Sequence, residues 1–93
     1  MKKSLHIFID PSSDADNDEV TKKMNLALDW YRYSENCWIV KTTSSISKWR
    51  KRLEPLVGST GSLLILEIDP ESSQGWISES FWTWMKKAFN LSY

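Results

Sequence analysis

Three short apolar runs alternate with stretches of helical periodicity, and this alternation restricts the fold more than any other feature of the sequence. The runs span residues 5–9, 37–42 and 63–68, the second being the strongest part of an extended stretch that begins near residue 31. Runs of this length that are bounded by polar residues are typical of strands. Because the first run lacks strict alternation of polar and apolar residues, we expect a strand covered on both faces. The third run is predicted to be the most clearly buried strand.

Three other stretches carry apolar stripes at helical spacing. A helix is predicted from about residue 18 to residue 30 or 31, with the stripe Val20, Met24, Ala27, Leu28 and Tyr31. A second helix should follow capping residues at 43–45 and end or kink at Pro55, with the stripe Ile46, Trp49, Leu53, Leu56 and Val57. The last is predicted over residues 78–89, with the stripe Ile77, Phe81, Trp84, Met85 and Ala88. The predicted order is β-α-β-α-β-α in an α+β protein.

Length and composition restrict the class of protein. A chain of 93 residues is one domain by length, and 41% hydrophobic with 26% charged residues is ordinary globular usage. No apolar run approaches the ~20 residues that span a bilayer. Lys2 and Lys3 precede an apolar run that is too short for a secretory signal peptide and is cut off by Asp10. We therefore expect a single domain over residues 1–93, in the cytoplasm and without a membrane partner.

Cys37 is the only cysteine and His6 the only histidine. One cysteine cannot form an intramolecular disulfide, and a structural zinc site would lack its ligands. A cysteine inside a strand-like run is most often a small buried apolar side chain. We expect Cys37 to be unreactive.

The spacing of Asp14, Asp16 and Asp18 resembles the start of a calcium-binding loop. An EF-hand loop requires glycine at its sixth position and glutamate at its twelfth. This chain has Glu19 and Asn25 at those positions. We therefore expect these acidic residues to stabilise a helix N-terminus rather than to bind calcium.

The second predicted helix contains a basic run formed by Lys48, Arg50, Lys51 and Arg52. Such a run can contact phosphates, and it is the candidate patch for a nucleic-acid partner. The alternative is a solvated helix face, since Lys48, Lys51 and Arg52 are predicted to point away from the apolar stripe. Twelve basic and twelve acidic residues cancel, whereas a dedicated nucleic-acid binder usually has a basic excess.

The chain carries six tryptophans: Trp30, Trp38, Trp49, Trp76, Trp82 and Trp84. They cannot all lie at the centre of one small core, and Trp82 lies off the stripe of the last predicted helix. Tryptophan is enriched in the buried cores and hot spots of protein interfaces. We therefore expect a homodimer, and we take Trp76 and Trp82 as candidate partner-binding residues.

Asp10 ends the first predicted strand, where small α/β and α+β proteins often place their chemistry. One carboxylate binds a hard divalent cation weakly, but two related by a dimer axis can hold magnesium with water completing the octahedron. The alternative is that Asp10 is only a turn residue before Pro11. No general base can be named beside it, because His6 lies four residues earlier and shares its face only if no bulge intervenes.

Several of these features occur in a recognisable order: a first strand ending in Asp10, the run at 37–42 leading into a serine-capped helix, the run at 62–68, and Gly75-Trp76 before a helix with Trp82 and Trp84. This order resembles the SinR-like branch of the small CRISPR-adaptation subunit family, over nearly the whole chain. The resemblance implies a ferredoxin-like fold with a small, mainly antiparallel sheet, usually in a dimer whose two sheets pack together. It also implies that Asp10 matches the metal-binding aspartate of the family's proposed phosphodiesterase.

Members of that family range from reported nucleases and toxin-like ribonucleases to purely structural subunits, so two functions are predicted. The first is a homodimeric binding module for a protein or nucleic acid, without strong catalysis. The alternative is an RNase or DNase in which Asp10 of each protomer holds a Mg²⁺ or Mn²⁺ ion that activates water. Zero net charge favours the first, because it gives little counterion release on a phosphate backbone. No other cofactor is predicted.

Overall fold

The computed structural model describes residues 2–13 and 15–91 and contains four strands and three α-helices. In chain order these are β1 (Lys3–Asp10), α1 (Asn17–Met24), β2 (Asp29–Ser34), β3 (Cys37–Thr42), α2 (Ile46–Val57), β4 (Ser62–Glu67) and α3 (Glu79–Phe89), with a 3₁₀ turn at Pro70–Ser72. The protein is therefore α+β. None of these helices has the length and apolar character needed to cross a bilayer.

The four strands form one antiparallel sheet in the order β2-β3-β1-β4. Since each neighbouring pair is antiparallel, β1 and β2 are parallel to each other with β3 between them. In the same way β3 and β4 are parallel with β1 between them. The chain thus contains two interlocked β-α-β units, each split by a strand of the other.

The predicted order was wrong in one element, because the first helix is short and a fourth strand follows it. The helix ends at Met24, after which residues 29–34 pair with β3. Trp30 packs edge-on against Trp38 on one face of the sheet, whereas Tyr31 packs against Phe81 on the other. This alternation of bulky aromatic residues favours a strand, and it overrides the helical spacing that links Tyr31 to Val20.

Helices α1 and α2 cover one face of the sheet and enclose the main core. Its buried members are Leu5, Ile7, Ile9, Val20, Met24, Trp38, Val40, Trp49, Leu53, Leu56 and Val57. The predicted stripe of α2 supplies four of them, and Ile46 remains exposed at the start of the helix. Ser45 caps α2 by accepting a hydrogen bond from Lys48 N at 3.1 Å, as the serine cluster predicts. Pro55 does not end the helix, which continues to Val57.

The opposite face of the sheet, called here the second face, is covered only in part. Helix α3 packs on β2 and forms a smaller core, with Ile39, Phe81, Met85 and Leu91 buried. On β1 and β4 the large apolar residues of the second face are Phe8, which is half-buried, and Leu64 and Leu66, which are 50% and 47% exposed. The expectation that the run at 63–68 is the most clearly buried strand was therefore wrong, because β4 is an edge strand and its leucines on the second face are about half exposed.

Candidate functional site

Asp10 is the last residue of β1, and its side chain is exposed on the second face, opposite Ser62 of β4. Unbroken pairing with β4 from Leu5 to Asp10 shows that no bulge separates Asp10 from His6, so the two side chains share a face. Four residues of strand nevertheless place them about 13 Å apart. Nowhere in residues 2–13 and 15–91 do three His, Cys, Asp or Glu side chains converge as metal ligands would. Metal binding by Asp10 stays a prediction.

The acidic segment before α1 stabilises that helix. Asp16 is the N-cap and its carboxylate accepts a hydrogen bond from Glu19 N at 2.9 Å. Asp18 and Glu19 lie in the first turn, where the partial positive charge of the helix end favours them. Asp14 lies outside the described residues.

The basic run of α2 does not present four free charges together. Arg50 makes an exposed ion pair with Glu54 at 3.1 Å. The Arg52 guanidinium lies over the ring of the buried Trp49, 4.7 Å from its centroid, so the expectation that Arg52 points away from the apolar stripe was wrong. Lys48 and Lys51 are exposed and border a shallow pocket with the hydroxyl residues at 43–45 and 47. A basic contact surface on α2 would therefore depend chiefly on these two lysines.

The two candidate tryptophans differ in burial. Trp76 is fully exposed in the segment before α3. Trp82 is half-buried and packs edge-on against Phe81, with ring centroids 5.1 Å apart. A Cβ on Gly75 would lie 3.7 Å from the Trp82 ring, which places the segment carrying Trp76 beside the second-face core. Trp76 is thus an exposed indole in a segment that lies beside the second-face core.

The bare part of the second face is the feature that sequence reasoning missed. We call Phe8, Leu64 and Leu66 the open face. Phe8 lies directly opposite Leu64 in the strand pairing, and His6 lies opposite Leu66. The apolar run at 63–66 predicted burial, and nothing in its local pattern indicates that β4 would be the outermost strand. Two leucines that lie side by side and are each about half exposed form an apolar surface of the kind that marks interaction sites.

A polar cluster borders the open face. His6 Nε2 and the Tyr33 hydroxyl are 2.6 Å apart, and burial lowers the pKa of His6. Burial, reinforced by Cys37, raises the pKa of Tyr33 to about 12. Tyr33 is therefore protonated at neutral pH, and its hydroxyl is hydrogen-bonded to the neutral imidazole of His6. The described geometry assigns Cys37 no role beyond this contact.

His6 should make the stability of the protein depend on pH. Because its pKa is lower in the folded state than in the unfolded chain, the unfolded chain binds more protons, and stability falls as pH drops below the ordinary histidine value of 6.5. Denaturant unfolding at pH 7.5 and 5.5 should show a lower midpoint at pH 5.5. His6→Gln should remove most of this difference, since His6 is the only histidine and most carboxylates titrate lower. An equal difference in the variant would contradict the assignment.

Comparison of this chain with family models, with curated proteins and with solved structures finds no match. The resemblance to the small CRISPR-adaptation subunit family therefore stays a prediction that depends on the motifs quoted above.

Proposed function

We propose that this protein is a homodimeric binding module with a ferredoxin-like fold that holds a protein partner on its open face. The observation that carries the proposal is the exposure of Leu64 and Leu66, at 50% and 47%, on the uncovered half of an otherwise packed sheet. Exposed apolar side chains that lie together, rimmed by polar residues, favour association with another protein surface.

The strand order supports the ferredoxin-like part of this proposal. A β-α-β-β-α-β chain that forms two interlocked split units is the motif by which this fold is defined. Helix α3 is then an addition after the motif. It covers half of the second face, which the motif itself leaves bare, and so confines the proposed contact to the β1 and β4 half.

A protein partner fits the charges and surfaces better than a nucleic acid does. The net charge is zero, and in α2 the cations Arg50 and Arg52 are already engaged by Glu54 and by the Trp49 ring. Only Lys48 and Lys51 of that run remain for phosphates, which gives a small electrostatic contribution. The open face and Trp76 instead offer aromatic and aliphatic anchors, the residue types that dominate hot spots in protein interfaces.

Trp76→Ala should weaken the complex with a cognate protein partner at least tenfold, because a fully exposed indole that becomes buried on binding is the strongest type of anchor. The partner would first be captured with immobilised wild-type protein, then purified, and its dissociation constant measured by calorimetry. As a control, Leu28→Ser removes a leucine that is 56% exposed on the α1–β2 turn, and it should leave the affinity unchanged.

A contrary result would identify another site. If Lys48→Gln/Lys51→Gln abolishes the interaction and Trp76→Ala does not, α2 is the interface and the proposal is wrong. If the wild-type protein cleaves RNA or DNA over many turnovers with Mg²⁺, and Asp10→Asn removes that activity, the protein is an enzyme rather than a binding module.

A further inference from the structure

The outer edge of β4 is an unprotected sheet edge. In the described part of the chain no strand lies beside it, because β4 is the last strand in the order β2-β3-β1-β4. Proteins usually block such edges with lysine, proline, a bulge or a covering element, since bare backbone donors and acceptors pair with other chains. The segment Ser62–Glu67 contains neither lysine nor proline, and its pairing with β1 runs without a bulge.

Strand β2, at the other edge of the sheet, is protected in ways that β4 is not. Strand β2 carries Asp29 and Arg32, has an irregular register between Arg32 and Ser34, and is packed by α3. Charge, a bulge and a covering helix are three of the usual ways to protect an edge. The protein thus protects one edge of its sheet and leaves the other open.

Apolar side chains lie on both sides of the β4 edge. On the second face the edge presents Leu64 and Leu66. On the helix-covered face it borders a shallow groove of about 280 Å³ lined by Ile46, Arg50, Glu54, Val57, Leu63 and Ile65. A strand added to this edge would place alternate side chains in the groove and on the open face, as strand addition requires.

The groove-lining residues of α2 form a pattern that complements itself. Along the helix they occur as apolar, basic, acidic and apolar, at positions 46, 50, 54 and 57. When this row of four residues is set antiparallel against a copy of itself, Arg50, which pairs with Glu54 of its own helix, also faces Glu54 of the other copy. Ile46 of each copy then faces Val57 of the other. A two-fold axis requires such self-complementarity, because each contact occurs twice. Zero net charge adds no long-range repulsion between copies.

We infer that the homodimer proposed above forms by antiparallel pairing of β4 with β4 of a second copy, which gives one continuous eight-stranded sheet. The groove-lining rows of the two α2 helices lie against each other beside this junction. This inference depends on the proposed homodimer and specifies its interface. In the register that places Ile65 on the axis, Leu64 of each copy lies opposite Leu66 of the other. The two open faces then join into one apolar surface that spans the dimer and is available to the partner.

This arrangement also separates the two Asp10 side chains. Asp10 lies opposite Ser62 at one end of the β1–β4 pair. In the register described above, antiparallel pairing places the Ser62 residues of the two copies about 20 Å apart along the strands, and the Asp10 residues are further apart still. Two carboxylates at that separation do not share a magnesium ion, whose ligands lie about 2 Å from it. The edge-paired dimer and a metal site shared by both Asp10 residues therefore exclude each other.

Charge reversal tests the pairing of Arg50 with Glu54 of the second copy. Arg50→Glu alone and Glu54→Arg alone should each raise the dimer dissociation constant about tenfold or more, because like charges then face each other across the axis. An equimolar mixture of the two single variants should recover dimers close to the wild-type affinity, since every cross-axis pair is complementary in the mixed dimer. Sedimentation equilibrium of each variant and of the mixture gives these constants. If Arg50 and Glu54 acted only as an ion pair within one helix, mixing the two variants would not restore dimerisation, and that result would contradict the cross-axis pairing.

Leu64→Lys tests the strand edge itself, because lysine on an exposed edge is a natural block to strand pairing. This variant should be monomeric at tens of micromolar, whereas Leu28→Lys, at a leucine 56% exposed on the α1–β2 turn, should dimerise as the wild type does. Circular dichroism checks that both remain folded. A wild-type protein that is monomeric throughout overturns the inference and the proposed homodimer together. A dimer that survives both Leu64→Lys and Arg50→Glu overturns the inference alone.

Discussion

Trp49→Ala should remove a large part of the stability of this protein. The Trp49 side chain is fully buried at the centre of the main core. The Arg52 guanidinium lies over its ring, 4.7 Å from the ring centroid. Its Nε1 donates to Thr42 Oγ1 at 3.0 Å, and Thr42 is itself buried. Truncating a buried tryptophan costs about 3–5 kcal/mol of unfolding free energy. A domain of this size has about 5–10 kcal/mol in total, so a substantial unfolded fraction is expected at 37 °C.

Urea unfolding followed by circular dichroism measures the loss, at one fixed protein concentration because dimerisation makes the midpoint concentration-dependent. Trp76→Ala makes the same chemical change at a fully exposed position and should alter the free energy of unfolding by no more than about 0.5 kcal/mol. Trp49→Phe should fall between the two, since it keeps most of the buried area but loses the donor to Thr42. Equal midpoints for Trp49→Ala and Trp76→Ala would show that Trp49 is not the central core residue.

The sequence was sufficient to predict those elements in which the residues of the apolar pattern are also the buried residues. The stripe of α2 is buried at Trp49, Leu53, Leu56 and Val57, and α3 begins within one residue of its predicted start. Prediction from the sequence failed where a helical pattern and a strand overlap. Residues 20–31 have helical spacing, but from residue 29 the chain pairs with β3. Tertiary packing of Trp30 on Trp38 decides that competition, and no local pattern contains this information.

The open face could not be predicted for a related reason. The run Leu63 to Leu66 has the composition of a central strand, and whether it becomes central or outermost depends on sheet order, which is a long-range property. Its position at the edge follows only once β1 is seen to pair with both β3 and β4. Asp10 and Trp76, by contrast, were identified from sequence as an end-of-strand carboxylate and a tryptophan outside the core, and both are exposed.

Gly61→Ala should destabilise the protein by about 2–4 kcal/mol, because three backbone segments converge on this glycine. A Cβ at this position would lie 2.3 Å from the carbonyl oxygen of Asp10 and 2.8 Å from that of Val57. Both contacts are with main-chain atoms, which cannot rotate away as a side chain does. Gly61 N also donates to Val57 O at 2.8 Å, so the end of α2, the end of β1 and the start of β4 are held together here.

Gly61→Ala should first weaken the strand pairing around residue 61 and only then the whole fold, because the clash forces the start of β4 away from the end of β1. Amide hydrogen exchange should therefore accelerate first at residues 62–63, which pair with Ile9 and Asp10, and least in α1. Gly75→Ala is the matched control: a Cβ there meets only the Trp82 ring, at the ordinary contact distance of 3.7 Å. It should change the midpoint of urea unfolding little. If Gly61→Ala were equally harmless, the turn between α2 and β4 would have to be free to move, and Asp10 would not be fixed at the end of β1 by its neighbours.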